Sequence, residues 1–210
     1  GRPRAAVLAA DVAVAIRQLA PNAAAVVGMS LGGLTSIAVA ERAPELVRSL
    51  VLVDITPGVT GEKAKAILDF VRGPATFASF DELLARTIEH NPTRTESSLR
   101  RGILHNAVQQ EDGSWVWRYR RHDSPPIEDA ADGSSEADDQ LRWWDALGAV
   151  TVPVMLVRGM RPQSVVDDAD EAKLLRRLPN ARIEHVAEAG HSVQGDTPVE
   201  LAALLADFLP

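Results

Sequence analysis

Cysteine is absent from the 210 residues, which excludes disulfides, thiolate nucleophiles, cysteine-based zinc sites and iron–sulfur clusters. Positive charge is also in short supply: 22 Lys and Arg stand against 29 Asp and Glu, for a formal charge of −7. Nucleic acid and anionic membranes are bound by clustered cations that displace counterions, so neither partner is expected. No apolar run approaches the roughly 20 residues of a membrane span. The Ala-rich stretch from Val7 to Ile16 is broken by Asp11 and followed by Arg17, which makes it an amphipathic helix rather than a signal-peptide core. A cytosolic setting fits. What is present is an ordinary globular balance, 46% hydrophobic and 24% charged, able to bury a core in one to one and a half domains. No internal repeat is visible.

Pro3 suits a first helical turn, and Val7, Leu8, Val12, Ile16 and Leu19 then recur at helical spacing until Pro21-Asn22. Four apolar runs read as strands: Ala23 to Gly28, Ser49 to Asp54, Val152 to Val157 and Ala181 to Val186. The first three, of which the second is rich in branched residues, read as strands covered on both faces, and the fourth, less apolar, as nearer an edge. Helical patterns follow them at Leu31 to Arg42, Asp170 to Leu178 and Pro198 to Leu209. The last carries a capping-box signature, with Thr197 and Glu200 around Pro198. Alternation of this kind needs crossover connections, and a mostly parallel sheet flanked by helices satisfies them, so the fold class is α/β.

Residues 56–150 interrupt the alternation and are far longer than an ordinary loop, so they are expected to fold as a lid inserted between core segments 1–55 and 151–210. The insert has helical stretches at Glu62 to Arg72, Phe80 to His90 and Thr95 to Ala107, and a turn at Asp112-Gly113. Trp115, Trp117 and Tyr119 alternate as on one face of a short strand, which points to packing inside the insert. Trp143-Trp144 is positioned to anchor it to the sheet. The acidic residues Glu128, Asp129, Asp132, Glu136, Asp138 and Asp139 lack ordered ligand spacing and read as a solvated loop, not a calcium site. Arg100-Arg101 and Arg118, Arg120 and Arg121 read as surface of the insert.

Gly28-Met29-Ser30-Leu31-Gly32 is a G-x-S-x-G sequence between an expected strand and an expected helix. A tight strand-to-helix turn projects the serine oxygen, and the glycines let neighbouring backbone approach it. The bland alternative is a helix-capping serine. The amide of Leu31, at the helix start, is the expected donor to an oxyanion. A serine needs a base, and of five histidines His191, in the loop before the final helix, is the best placed; His90, His105, His122 and His185 read as surface or structural. The base in turn needs a carboxylate. Asp54, ending the strand after the serine's helix, is favoured over Asp167 and Asp168; Asp167 lies where it would cap the next helix. Between Gly159 and Val165, where many parallel-sheet hydrolases carry the acid, there is no carboxylate, and Ser164 stands as an auxiliary hydroxyl in that position.

The elbow VVGMSLGG (Val26 to Gly33), the strand LVLVDITPG (Leu50 to Gly58), the stretch VPVMLVRG (Val152 to Gly159) and AGHSVQGDTP (Ala189 to Pro198) together resemble the α/β-hydrolase superfamily, in its nucleophile, acid, histidine order. The resemblance implies a larger parallel sheet, a lid inserted after the strand that ends in Asp54, and an upstream segment with further strands and a second oxyanion donor. That segment is not in these 210 residues, so the chain is expected to be an N-terminally incomplete member.

The expected activity is hydrolysis of a small-molecule carboxylic ester, thioester or lactone through an acyl-enzyme, with Ser30 as nucleophile, His191 as base, Asp54 as acid and Leu31 at the oxyanion. No cofactor and no metal is called for. Two rival readings stand beside it: carbon–carbon bond hydrolysis on the same fold, and a noncatalytic fragment or interaction module.

Overall fold

The computed structural model describes residues 4–118 and 136–209. In chain order its elements are α1 (Arg4–Leu19), β1 (Val26–Met29), α2 (Leu31–Arg42), β2 (Leu50–Val53), α3 (Lys65–Val71), β3 (Thr76–Phe77), α4 (Phe80–Glu89) and α5 (Glu96–Asn106). Then follow β4 (Ala107–Gln109), β5 (Trp115–Trp117), α6 (Glu136–Gly148), β6 (Val154–Gly159), α7 (Asp168–Arg177), β7 (Arg182–Val186), α8 (Val193–Asp196) and α9 (Pro198–Phe208). They fall into two compact units, one of Gly1–Lys63 with Ala130–Pro210 and one of Ala64–Asp129. The separate unit is shorter than the 56–150 insert read from the sequence, because α6 belongs with the first unit.

The first unit is built on a parallel sheet in the order β1-β2-β6-β7. Its two central strands, LVLV and VMLVRG, are buried along their whole length, which is why they read as continuous apolar runs; β1, expected to be covered on both faces, instead stands at the end of this order and leaves Val27 exposed. Successive side chains take opposite faces. Val51, Val53, Met155 and Val157 share one face and pack with Val186, Ala189, Val193 and Leu201. Leu50, Leu52 and Leu156, from the other face, are equally closed to solvent. Helix α1 packs against α2, and its Ala5, Ala9 and Ala13 repeat at intervals of four and are all buried. This helical spacing makes one face.

Pairing is in register at the end that matters: Met29 pairs with Val53, and Val53 with Val157. The residues just past β1 and β2, Ser30 and Asp54, therefore emerge side by side from adjacent strands. The observed β6 starts two residues later than its apolar run, at Val154. Pro153, which has no amide to give a ladder, stands just before it, and its carbonyl accepts from the Leu50 amide at 2.9 Å.

The second unit has an antiparallel sheet in the order β3-β5-β4 with α4 and α5 packed through Phe77, Leu83, Leu84, Leu99, Ile103 and Ala107. Ser79 and Thr95 cap α4 and α5 by accepting from the amides of Glu82 and Ser98. Trp115 and Trp117 pack within this unit, edge-on to Phe80 and Phe77 respectively. Tyr119, Arg120, Arg121, His122, Glu128, Asp129 and Asp132 lie outside the described residues, as do the side chains of Glu136, Asp138 and Asp139.

One cap differs from the sequence reading. Thr197 precedes α9 but its side chain makes no capping bond; Thr197 also ends α8, and its hydroxyl turns back to the Val193 carbonyl at 3.5 Å. Among the described residues no helix is long and apolar enough to cross a membrane.

Candidate active site

Ser30 joins β1 to α2 with φ 52° and ψ −127°, a backbone conformation that costs a non-glycine residue of order 1–3 kcal/mol. Such strain persists only where the surroundings over-determine it. The surroundings here are the elbow glycines. A side chain on Gly28 would meet the Gly32 carbonyl at 2.5 Å and the Gly33 Cα at 2.6 Å, and one on Gly33 would run into the Ile55 side chain, whereas Gly32 has open space. Ser30 is half-buried, and its hydroxyl does not cap α2, so the oxygen is not spent on holding the helix. Leu31 is the first residue of α2, where an amide has no intrahelical acceptor.

Asp54 is the mirror of this arrangement on the next strand. It too has positive φ, 47°, and it is fully buried. Its amide donates to the Val157 carbonyl at 2.8 Å. A buried carboxylate must be paired and hydrogen-bonded. Oδ1 accepts from the Ser164 hydroxyl at 2.6 Å and the Gly159 amide at 2.9 Å, while Oδ2 accepts from His191 Nδ1 at 3.0 Å and the Val165 amide at 3.1 Å. Gly159 can lie this close because it has no side chain: a Cβ there would strike the backbone carbonyl oxygens of Gly190 and Ala189, in the loop that carries His191.

His191 is buried between β7 and α8, and with Nδ1 engaged by Asp54 its Nε2 has no hydrogen-bond partner. A carboxylate that accepts from Nδ1–H leaves Nε2 as the free base of the ring. The structure thus brings Asp54, Ser164 and His191 into one hydrogen-bonded group, with Ser30 and Leu31 at the neighbouring strand end.

The rival acids are committed elsewhere. Asp167 caps α7, accepting from the Asp170 amide in a complete capping box, and pairs with Lys63 at 2.8 Å. The Lys63 hydrogen bond is the main reason its carboxyl lies below the ordinary aspartate value. Burial works against the Lys63 ammonium, but its contacts with Asp167 and Asp170 outweigh it and hold that group above its usual value. Asp168 is exposed and pairs with Arg158 at 2.7 Å. Arg158 also reaches Glu171 and, through Nε, the Val166 carbonyl at 3.1 Å, tying down the loop that presents Ser164 and Val165.

Of the other histidines, His185 contacts Glu171 at 2.7 Å, His90 contacts the Arg86 carbonyl at 3.1 Å, and His105 is exposed. Among the described residues no group of three His, Cys, Asp or Glu side chains is arranged to hold a metal ion.

A family model for the alpha/beta hydrolase fold matches residues 2–198. The chain belongs to the α/β-hydrolase fold family. Within it, the chain is 40% identical over 205 residues to Esterase Rv0045c of Mycobacterium tuberculosis, covering 94% of this chain and 64% of that protein. It is 26% identical to the sn-1-specific diacylglycerol lipase ABHD11 of Xenopus laevis, covering 96% and 63%. A crystal structure of the Mycobacterium tuberculosis esterase superposes with a TM-score of 0.76 at 38% identity, over 97% of this chain and 66% of that one. That of E-2-(acetamidomethylene)succinate hydrolase gives 0.77 at 26% identity, over 99% and 76%. The chain therefore spans a little under two thirds of the length of the first two relatives.

For an α/β hydrolase, the least visible part of this site is the set of donors around Asp54. The backbone amides of Gly159 and Val165 leave no side-chain signal; only the missing carboxylate between Gly159 and Val165 hinted that another group fills that place. Removing the Ser164 hydroxyl takes away a donor to a buried charge, a hydrogen bond worth about 1.5–3 kcal/mol. Ser164→Ala is expected to lower thermal stability by about 3–12 °C in a scanning calorimeter, given about 2–4 °C per kcal/mol for a chain of this size.

Proposed function

We propose that the protein is a serine esterase. Ser30 Oγ attacks the ester carbonyl as His191 Nε2 takes its proton. The Leu31 amide donates to the oxygen that becomes negative. His191 then gives the proton to the departing alcohol, leaving the acyl group on Ser30. Water, deprotonated by the same nitrogen, attacks the acyl-enzyme, and the acid and free serine are released. Asp54 holds His191 in the tautomer with Nδ1 protonated and stabilises the imidazolium that forms in each half-reaction. The cycle uses a small acyl substrate and no cofactor.

The observation that carries this reading is the fourfold-bonded, buried Asp54 carboxylate gripping His191 through Nδ1 while Nε2 stays unpartnered. A structural ion pair gains nothing from leaving a buried ring nitrogen unsatisfied, whereas a general base needs that nitrogen free. The name of the esterase that is 40% identical supports the same bond type.

The test is hydrolysis of p-nitrophenyl butyrate by the wild-type protein and by Ser30→Ala. We expect turnover by the wild type and a loss of about 10⁶-fold in kcat in the variant, the scale on which serine hydrolases lose activity without their nucleophile. Undiminished hydrolysis by folded Ser30→Ala would remove Ser30 from the mechanism. No turnover by a folded wild type would favour the interaction-module reading.

A further inference from the structure

The second unit contains a cavity of about 210 Å³, lined by Phe70, Asn91, Arg94, Leu99, Ile103 and Trp117 with Thr87, Gly102 and Asn106. All of these residues lie inside 64–129, so the cavity belongs to that unit alone. Its walls are mostly apolar: Leu99 and Ile103 are core residues of the unit, and the Phe70 and Trp117 rings stand edge-on, 6.0 Å apart.

Two features mark the wall of this space. The first is Arg94. Its Nη2 donates to Ser98 Oγ at 2.9 Å, but its Nε is buried without a partner, and among the described residues Arg94 makes no ion pair. A buried charged donor left unsatisfied costs more than the 1–3 kcal/mol of a neutral one. The second is Gly102, inside α5, where glycine is about 1 kcal/mol worse than alanine. Packing does not require it, since a Cβ there would meet only Arg94 Nη2, at 4.0 Å. What the glycine does is leave the cavity wall open beside the guanidinium.

From these features we infer that the second unit binds a small carboxylate with an apolar body, its oxygen accepting from the Arg94 guanidinium at the cavity wall and its body lying against Phe70, Leu99, Ile103 and Trp117. One guanidinium with no lysine among the lining residues matches a single negative charge, and the apolar walls match a short acyl or aryl group. The volume lies below the usual 300–1,000 Å³ of drug-sized pockets, which limits the ligand to a few carbons or one ring. The inference is independent of the esterase reading, because none of these residues belongs to the Asp54–His191 group.

The probe pair is phenylacetate and its neutral isostere phenylacetamide, titrated calorimetrically into the whole protein. The wild type is expected to bind phenylacetate at one saturable site at least tenfold more tightly than phenylacetamide. Arg94→Gln should remove that preference, bringing the two affinities within about twofold, and Gly102→Leu, which fills the space, should weaken both by at least tenfold. Equal affinities in the wild type, or an undiminished preference in folded Arg94→Gln, would overturn the site. So would the absence of saturable phenylacetate binding. The wild-type comparison decides without any variant, so a misfolded mutant cannot leave the question open.

Discussion

Asp54→Asn is expected to lower kcat for ester hydrolysis by about 10⁴-fold, the loss seen when the triad aspartate of a serine protease is replaced by its amide, with KM nearly unchanged. The backbone does not object: φ is 47° at this position, and asparagine tolerates that region as readily as aspartate. The damage is to the proton inventory. Four donors converge on the two carboxylate oxygens, from Ser164, Gly159, Val165 and His191. An amide offers one oxygen and one NH₂, so at least one donor faces another donor. If the imidazole responds by exchanging tautomers, Nε2 carries the proton and can no longer accept one from Ser30. Asp167→Asn should leave turnover near wild type, since asparagine caps a helix as well as aspartate, and Asp168→Asn should do the same because Asp168 is exposed. Steady-state kinetics of the three variants decide the matter; a collapse confined to Asp167→Asn or Asp168→Asn would reassign the acid.

The largest effect on stability is expected from Gly28→Ala. The new methyl would sit 2.5 Å from the Gly32 carbonyl oxygen and 2.6 Å from the Gly33 Cα. Both are backbone atoms, which cannot swing aside as a side-chain end can. Overpacking of this kind costs about 1–3 kcal/mol and sometimes more; of the three closest atoms only Ser36 Oγ, also at 2.5 Å, belongs to a side chain that can turn away, so the top of that range applies. The midpoint of thermal unfolding should fall by about 6–12 °C at 2–4 °C per kcal/mol. Gly32→Ala, two positions beyond Ser30 in the same motif, meets nothing within 4 Å and should stay within about 1 kcal/mol of wild type. The contrast separates the glycines that the elbow needs for space from the one that only completes the pattern. Equal melting temperatures for the two variants would show that the elbow is looser than the close approaches imply.

What could be read from the sequence follows from what leaves a side-chain record. The central strands announced themselves because burial on both faces requires unbroken branched residues, as in LVLV at Leu50–Val53. Helix α2 was legible to the residue, Leu31–Arg42, because glycines and a proline bracket it. The elbow was legible for the same reason that it is strained: only glycine fits at Gly28 and Gly33. Illegible were the features carried by main chain or by long-range packing. The amides of Gly159 and Val165 that secure Asp54 belong to this class. So does the assignment of α6 to the unit that holds the sheet. Local rules also failed where two elements compete for one residue: Thr197 ends α8 and begins α9, and its hydroxyl serves the first.

Ser30 is proposed as a nucleophile made reactive by His191. The most direct measurement is reaction of the native protein with a fluorophosphonate followed by peptide mass mapping of the adduct. One adduct is expected, on the peptide containing Ser30, formed at least a hundredfold more slowly in His191→Gln. An adduct on another residue, no adduct on the folded protein, or an undiminished rate in His191→Gln would contradict it.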